Sequence, residues 1–163
     1  PDSGGLKRLW LKSKQLLHLC AKSRYNNPTD FSIQTISFLC AQGGFMSKFL
    51  FVLTRGPEDP TRAVRCFQFA KIAADKGHEI TVFLVDDAAY FTNLSLTERI
   101  KAPTGDELIT YWKFLVEKQA TILVCKPCAE SRLIGADDLP PGTAIGTGVT
   151  LIDLAAESKV FTF

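Results

Sequence analysis

The 163-residue chain has one methionine, two histidines and two tryptophans. It has no apolar run near the roughly 20 residues that a membrane-spanning helix needs. No excess charge of one sign appears either. Nineteen Lys and Arg face 17 Asp and Glu, a formal net of +2, so no strong field argues for nucleic acid or another polyanion as partner. His18 and His78 sit at no ligand spacing and only one C-x-x-C is present, so no metal site is expected. A phosphate-cradling G-x-x-x-x-G-K-[ST] is missing, as is a well-placed G-x-G-x-x-G, and no cofactor is expected. Collagen-like, disordered and membrane-spanning classes are excluded. What is present is 46% apolar and 22% charged residues, enough for one domain with a core and too little for two ordinary ones.

The near-neutral balance hides a split. Residues 1–45 carry six basic side chains against two acidic ones, a net of +4, while residues 46–163 carry 13 basic and 15 acidic, a net of −2. Leu6, Leu9, Trp10, Leu16, Leu17 and Leu19 recur at helical spacing among Lys7, Lys12 and Lys14, the pattern of a basic amphipathic helix. Asn26-Asn27-Pro28 then breaks the chain before an apolar stretch from Phe31 to Cys40. The expectation is an N-terminal extension, non-native or weakly ordered, with Met46 as the start of the fold; a partner-binding or membrane-surface helix is the competing reading.

Five cysteines (Cys20, Cys40, Cys66, Cys125 and Cys128) at scattered spacings make no disulfide framework, and a reducing cytoplasm is the expected compartment. Cys66 falls within a helical pattern and reads as a small buried hydrophobe.

From Met46 onward, strand and helix signals alternate. Phe49–Leu53, Ile80–Val85 and Thr121–Val124 are continuous apolar runs, as strands buried on both faces require. Asp59 is placed as an N-cap and Pro60 as the first residue of a helix that presents Ala63, Phe67, Ala70 and Ala74 and stops at Gly77. Residues 88–103 look irregular, with a short helical turn near Ala88–Tyr90 and a loop through Pro103. Thr104 to Glu107 reads as a T-x-x-E capping box opening a helix whose Leu108, Trp112 and Leu115 share a face. A brief strand at Ala144-Ile145, a helix over Thr150–Glu157 and a strand over Lys159–Phe163 complete the series. Alternating strands and helices predict βαβ crossovers and an α/β fold, with a mainly parallel five-stranded sheet covered on both faces in a three-layer α/β/α sandwich.

Ligand sites of such sheets gather at the carboxyl ends of strands. Three loops qualify: Arg55–Pro60, Asp86–Phe91 and Cys125–Arg132. The third carries the sharpest signal. Cys125 stands between a strand end and a helix start, where unpaired backbone N–H groups and the helix dipole favour thiolate. Lys126 and Arg132 add positive charge nearby, and such surroundings lower a thiol's pKa and make it a nucleophile. Asp86 and Asp87, at a strand end, read as caps for the turn that follows them, with acid/base groups as the alternative. Gly142, Gly146 and Gly148 read as turn residues.

The strand followed by Thr54-Arg55-Gly56-Pro57-Glu58-Asp59-Pro60-Thr61-Arg62, the segment Val124-Cys125-Lys126-Pro127-Cys128-Ala129-Glu130-Ser131-Arg132 and the ending Leu151-Ile152-Asp153-Leu154 through Lys159–Phe163 together resemble the DsrE/DsrF-like family of small sulfur-relay proteins. The resemblance covers residues 46–163. It implies a DsrE-like fold, a homo-oligomer (trimer or hexamer) and a cysteine at the end of the middle strand that takes up sulfane sulfur as a persulfide and passes it to a partner thiol. Cys125 is the matching position by its distance to Arg132, and Cys128 is a further thiol found in part of the family. Leu133 stands where the family often has glycine. The leading reading is a cytoplasmic sulfur carrier or sulfurtransferase, with Cys125 and Cys128 as catalytic residues, Lys126 and Arg132 binding substrate, and a sulfur donor or acceptor protein as partner. Two other readings stand beside it: a non-catalytic oligomeric interaction module, and a dithiol oxidoreductase using the C-x-x-C pair.

Overall fold

Each apolar run from Phe49 onward forms a strand. The computed structural model describes residues 46–163; the basic helix and the Phe31–Cys40 stretch read from the sequence lie outside the described residues. β1 (Lys48–Leu53), β2 (Glu79–Leu84), β3 (Thr121–Cys125), β4 (Thr143–Gly146) and β5 (Lys159–Thr162) lie in one sheet of order β4-β3-β2-β1-β5. Every neighbouring pair is parallel, so the sheet is wholly rather than mainly parallel. Parallel neighbours need crossovers, and helices supply them.

The helices divide between the two faces. α1 (Pro60–Asp75) and α3 (Leu108–Glu117) cover one, packing Phe67, Ala70, Trp112 and Leu115 on Phe51, Val82, Leu84, Ile122 and Val124. The Phe67 and Trp112 rings stack with centroids 5.2 Å apart, an arrangement that adds about 0.5–1.5 kcal/mol beyond the area it buries. On the other face, Leu50, Val52, Phe83, Leu123 and Cys125 lie against Leu151, Leu154 and Ala155 of α5 (Gly148–Glu157). The result is a three-layer α/β/α sandwich. Its second helical layer is thin: no residue of α5 is fully buried, and all of β5 is exposed.

Local signals explain most boundaries. Asp59 caps α1 by accepting from the Arg62 N–H at 3.1 Å, Pro60 occupies the first turn, and Gly77 takes φ +79 just past the end. The T-x-x-E expectation is corrected. α3 begins only at Leu108, with Glu107 making no side-chain cap. Gly105 turns the chain at φ +90, Glu107 pairs instead with Lys101 at 3.1 Å, and the Thr104 hydroxyl is held by Arg65 at 2.6 Å and donates to Asp106 at 2.5 Å. Asp106 also receives Arg65 and the Tyr111 hydroxyl, so this cluster ties the loop to α1 and α3. The segment read as irregular holds a 3₁₀ helix over Asp86–Thr92 and a short α2 over Leu94–Thr97, whose cap Asn93 accepts from Leu96.

All five strands run the same way, so the loops leaving β1, β2 and β3 emerge at one end of the sheet. That is where the three candidate loops meet.

Candidate functional site

β3 carries the apolar run Thr121–Cys125 into the sheet and releases it at a thiol. Cys125 is the last strand residue, in register with Gly146 of β4, and its alternation along the strand points it to the α5 side. It is 9% exposed. Gly146 is required there by packing: a Cβ would come within 2.8 Å of the Phe83 ring. The reading of three turn glycines therefore holds for Gly142, at φ +80, while Gly146 lies in β4 and Gly148 opens α5.

The chain turns directly from β3 into α4 (Lys126–Glu130). Pro127 fits this first turn because its missing N–H would have had no helical partner. Cys128 lands half-buried, packed against both apolar layers. Its sulfur is met from the end of β2. The Asp86 backbone N–H donates to Cys128 Sγ at 3.2 Å, and Asp86 Oδ1 lies 3.9 Å from the same sulfur. Asp86 achieves this at φ +50, in the left-handed region.

Asp86 and Asp87 are therefore not caps. The 3₁₀ helix that they open starts from Val85 with no side-chain cap, and Asp87 pairs with Arg132. Arg132 is held on several sides. Its Nη1 donates to the Cys128 carbonyl at 3.0 Å, its guanidinium lies 5.1 Å from the Tyr90 ring centroid, and its Nε is buried without a partner. Lys126, by contrast, is well exposed and pairs only loosely with Glu130, at 3.8 Å. The β1 loop closes the cluster from a third side: a Cβ on Gly56 would lie 2.7 Å from the Asp87 carbonyl oxygen.

The Cys128 pKa is raised, chiefly because burial disfavours the anion and next because it shares a hydrogen bond with Cys125. The Asp86 N–H pulls it the other way, and the Asp86 carboxylate raises it further. Positive charge does not offset this at Cys128, since Arg132 is committed to Asp87 and Lys126 pairs with Glu130. Cys66 is fully buried in α1, as expected, and burial pushes its thiol far up. Beyond Arg132 lies an open cleft of about 670 Å³, lined by Tyr90, Asn93, Arg132, Ile134 and Pro140 among others.

Of the residues predicted from sequence, Cys125, Cys128 and Arg132 come together, and Lys126 stays at the rim. Asp86, Asp87 and Gly56 lie on two of the three loops singled out from the sequence, but were not among the residues predicted for the site. The adjacent acids at a strand end were visible, but only the fold brings them 42 residues along to Cys128. Among the described residues no group of three or more His, Cys, Asp or Glu could hold a metal ion, and no helix is long and apolar enough to cross a membrane.

Comparison with known proteins places the same segment in context. The model of the DsrE/DsrF-like family matches residues 47–163. The uncharacterised protein MJ0989 of Methanocaldococcus jannaschii is 30% identical over 120 residues, covering 71% of this chain and 99% of that protein. The uncharacterised protein MK0008 of Methanopyrus kandleri is 26% identical over 110 residues, covering 66% of this chain and 85% of that one. The crystal structure of the ychN protein from E. coli superposes with a TM-score of 0.62 at 23% identity, covering 72% of this chain and all of the other.

Proposed function

Because the chain belongs to the DsrE/DsrF-like family, a family of sulfur-relay type, we propose that it carries sulfane sulfur as a persulfide on Cys125. The observation that carries this reading is the paired thiols at the β3–α4 turn, where Cys125 ends the middle strand and the pKa of Cys128 is raised. Cys125 is the member of the pair that acts as nucleophile. Its sulfur attacks the outer sulfur of a donor persulfide, forming Cys125–S–S–H and releasing the donor as a thiol. An acceptor thiolate then attacks the outer sulfur and regenerates Cys125. The persulfide adds one S–S bond of about 2 Å, which extends the reactive atom beyond the buried Cys125 side chain.

In this reading Lys126, exposed at the start of α4, draws anionic donors toward the turn, and Arg132 fixes the loop geometry while facing the adjacent cleft. The donor or acceptor is another protein or a small persulfide. The chain acts as a homo-oligomer, a trimer or hexamer, which covers the exposed apolar side chains of Val149 and Ile152 on α5 and Val160 and Phe161 on β5. The cytoplasm, where thiols stay reduced, is the compartment that suits it.

Burial of Cys125 favours one rival reading, an oligomeric interaction module whose cysteines are incidental. Intact mass after incubation with glutathione persulfide separates the two. The carrier gains the mass of one sulfur atom, and Cys125→Ser abolishes the gain without changing the circular dichroism spectrum. A protein that gains none, with both thiols alkylating like free cysteine, is the module.

A further inference from the structure

Cys128 has a partner that the carrier function alone does not require. Both polar groups of Asp86 end on its sulfur, the backbone N–H at 3.2 Å and Oδ1 at 3.9 Å. Asp86 does this from φ +50, a conformation that L-residues other than Asn and Asp rarely occupy. Capping is not its purpose, since the 3₁₀ helix starts without a side-chain cap.

We infer that Asp86 is the positioning residue for a discharge step in which Cys128 attacks the Cys125 persulfide. This step rests on the persulfide reading of Cys125. The Cys128 thiol loses its proton to solvent, and its sulfur bonds to the inner sulfur of Cys125–S–S–H. The outer S–S bond breaks and the terminal sulfur leaves as hydrosulfide. The two cysteines are oxidised to the Cys125–Cys128 disulfide, and the sulfane sulfur is reduced to sulfide. An external dithiol reductant resets the pair. The three-residue spacing across the start of α4 is that of dithiol motifs which close such disulfides.

Asp86 acts on this step in two ways. Its N–H aims the sulfur, and its carboxylate adds to the burial that raises the thiol's pKa, so that loaded sulfur is retained rather than spilled. The other groups facing Cys128 are the Cys125 thiol from β3 and the Arg132 guanidinium, which donates to the Cys128 carbonyl and is paired with Asp87. From α5, Leu151, Leu154 and Ala155 contribute no charge. The raised Cys128 pKa agrees with this restraint.

The test uses the full chain loaded with glutathione persulfide, freed of excess donor, and followed by a sulfide electrode and non-reducing intact mass across a pH series. The wild type releases sulfide and forms the disulfide faster as pH rises through the Cys128 titration. Cys128→Ser keeps its persulfide and releases none. Asp86→Asn tolerates the left-handed backbone and keeps the N–H, but removes the charge, so the pH midpoint of release moves down and release at neutral pH becomes faster. An unmoved midpoint in Asp86→Asn overturns the role of Asp86, and release by Cys128→Ser overturns the step. Failure of the wild type to load at all overturns the carrier reading and this step with it.

Discussion

Gly56→Ala adds one methyl group at the point where three loops meet. The new Cβ stands 2.7 Å from the Asp87 carbonyl oxygen, 2.8 Å from Asp87 Cβ and 2.8 Å from a carboxylate oxygen of Glu58. Glu58 is the flexible end of a side chain and moves aside, although it then gives up its bond to the Gly56 N–H. Asp87 offers its backbone, and backbone does not yield so easily. Overpacking of this kind costs about 1–3 kcal/mol. Against it stands the gain from a stiffer unfolded chain, about 0.4–1 kcal/mol, which applies because Gly56 has no left-handed backbone to strain. The half-buried ion pair of Asp87 with Arg132 adds about 1 kcal/mol if it breaks. The net expectation is a loss of about 1–2 kcal/mol in urea unfolding followed by fluorescence, with m unchanged. Asp87 neighbours Asp86, so the displacement also loosens the hold on Cys128, and the Cys128 alkylation rate changes in the folded protein. An unchanged midpoint together with unchanged alkylation would mean that the β1 loop does not buttress the thiols, and the reasoning would be refuted.

A chain beginning at Met46 is expected to unfold with the cooperativity of the full chain, because the strand, helix and cap signals are complete without residues 1–45; a loss of several kcal/mol by denaturant titration would show that the extension packs into the core. Asp106 has its carboxyl pKa lowered, first by the Thr104 hydroxyl, then by Tyr111 and Arg65. A carboxyl depressed in the folded state contributes stability above its unfolded pKa and loses it as pH falls through the folded value. Asp106→Asn should therefore flatten the acid limb of stability against pH, and an unaltered limb would remove Asp106 from the account. Ile152, 68% exposed on α5, is expected to lie in the oligomer contact; Ile152→Asp should yield monomers in sedimentation equilibrium, and a wild type already monomeric at micromolar concentration would sink that expectation.

The strands were legible because both faces of the parallel sheet are buried, Phe51, Val82 and Val124 on one and Leu50, Phe83 and Leu123 on the other, which demands unbroken apolar runs. Helix α1 was legible for a different reason, its local punctuation by Asp59, Pro60 and Gly77. The capping box at Thr104 failed because both of its members had stronger partners elsewhere: Thr104 with Arg65 and Asp106, Glu107 with Lys101. Such competition is settled by tertiary contacts that a four-residue pattern does not contain. The thiol pair and Arg132 were found from spacing at a strand end. Asp86 was not, because its role depends on a left-handed backbone and on a neighbour far along the chain, neither of which leaves a mark in composition or periodicity.

The strand order has a consequence for how the chain reaches this state. β1 is an inner strand only once β5 has arrived, yet Thr54 and Phe163, which bond across that junction, stand 109 residues apart. During synthesis β1, β2 and β3 can pair while the outer edge of β1 still shows the unpaired N–H and C=O groups of an apolar strand. Such an edge is a template for another chain, and pairings this distant close slowly. The nascent protein thus passes through a sticky stage that ends only when its last strand docks. Lys48, at the start of β1, keeps positive charge on that edge while it waits.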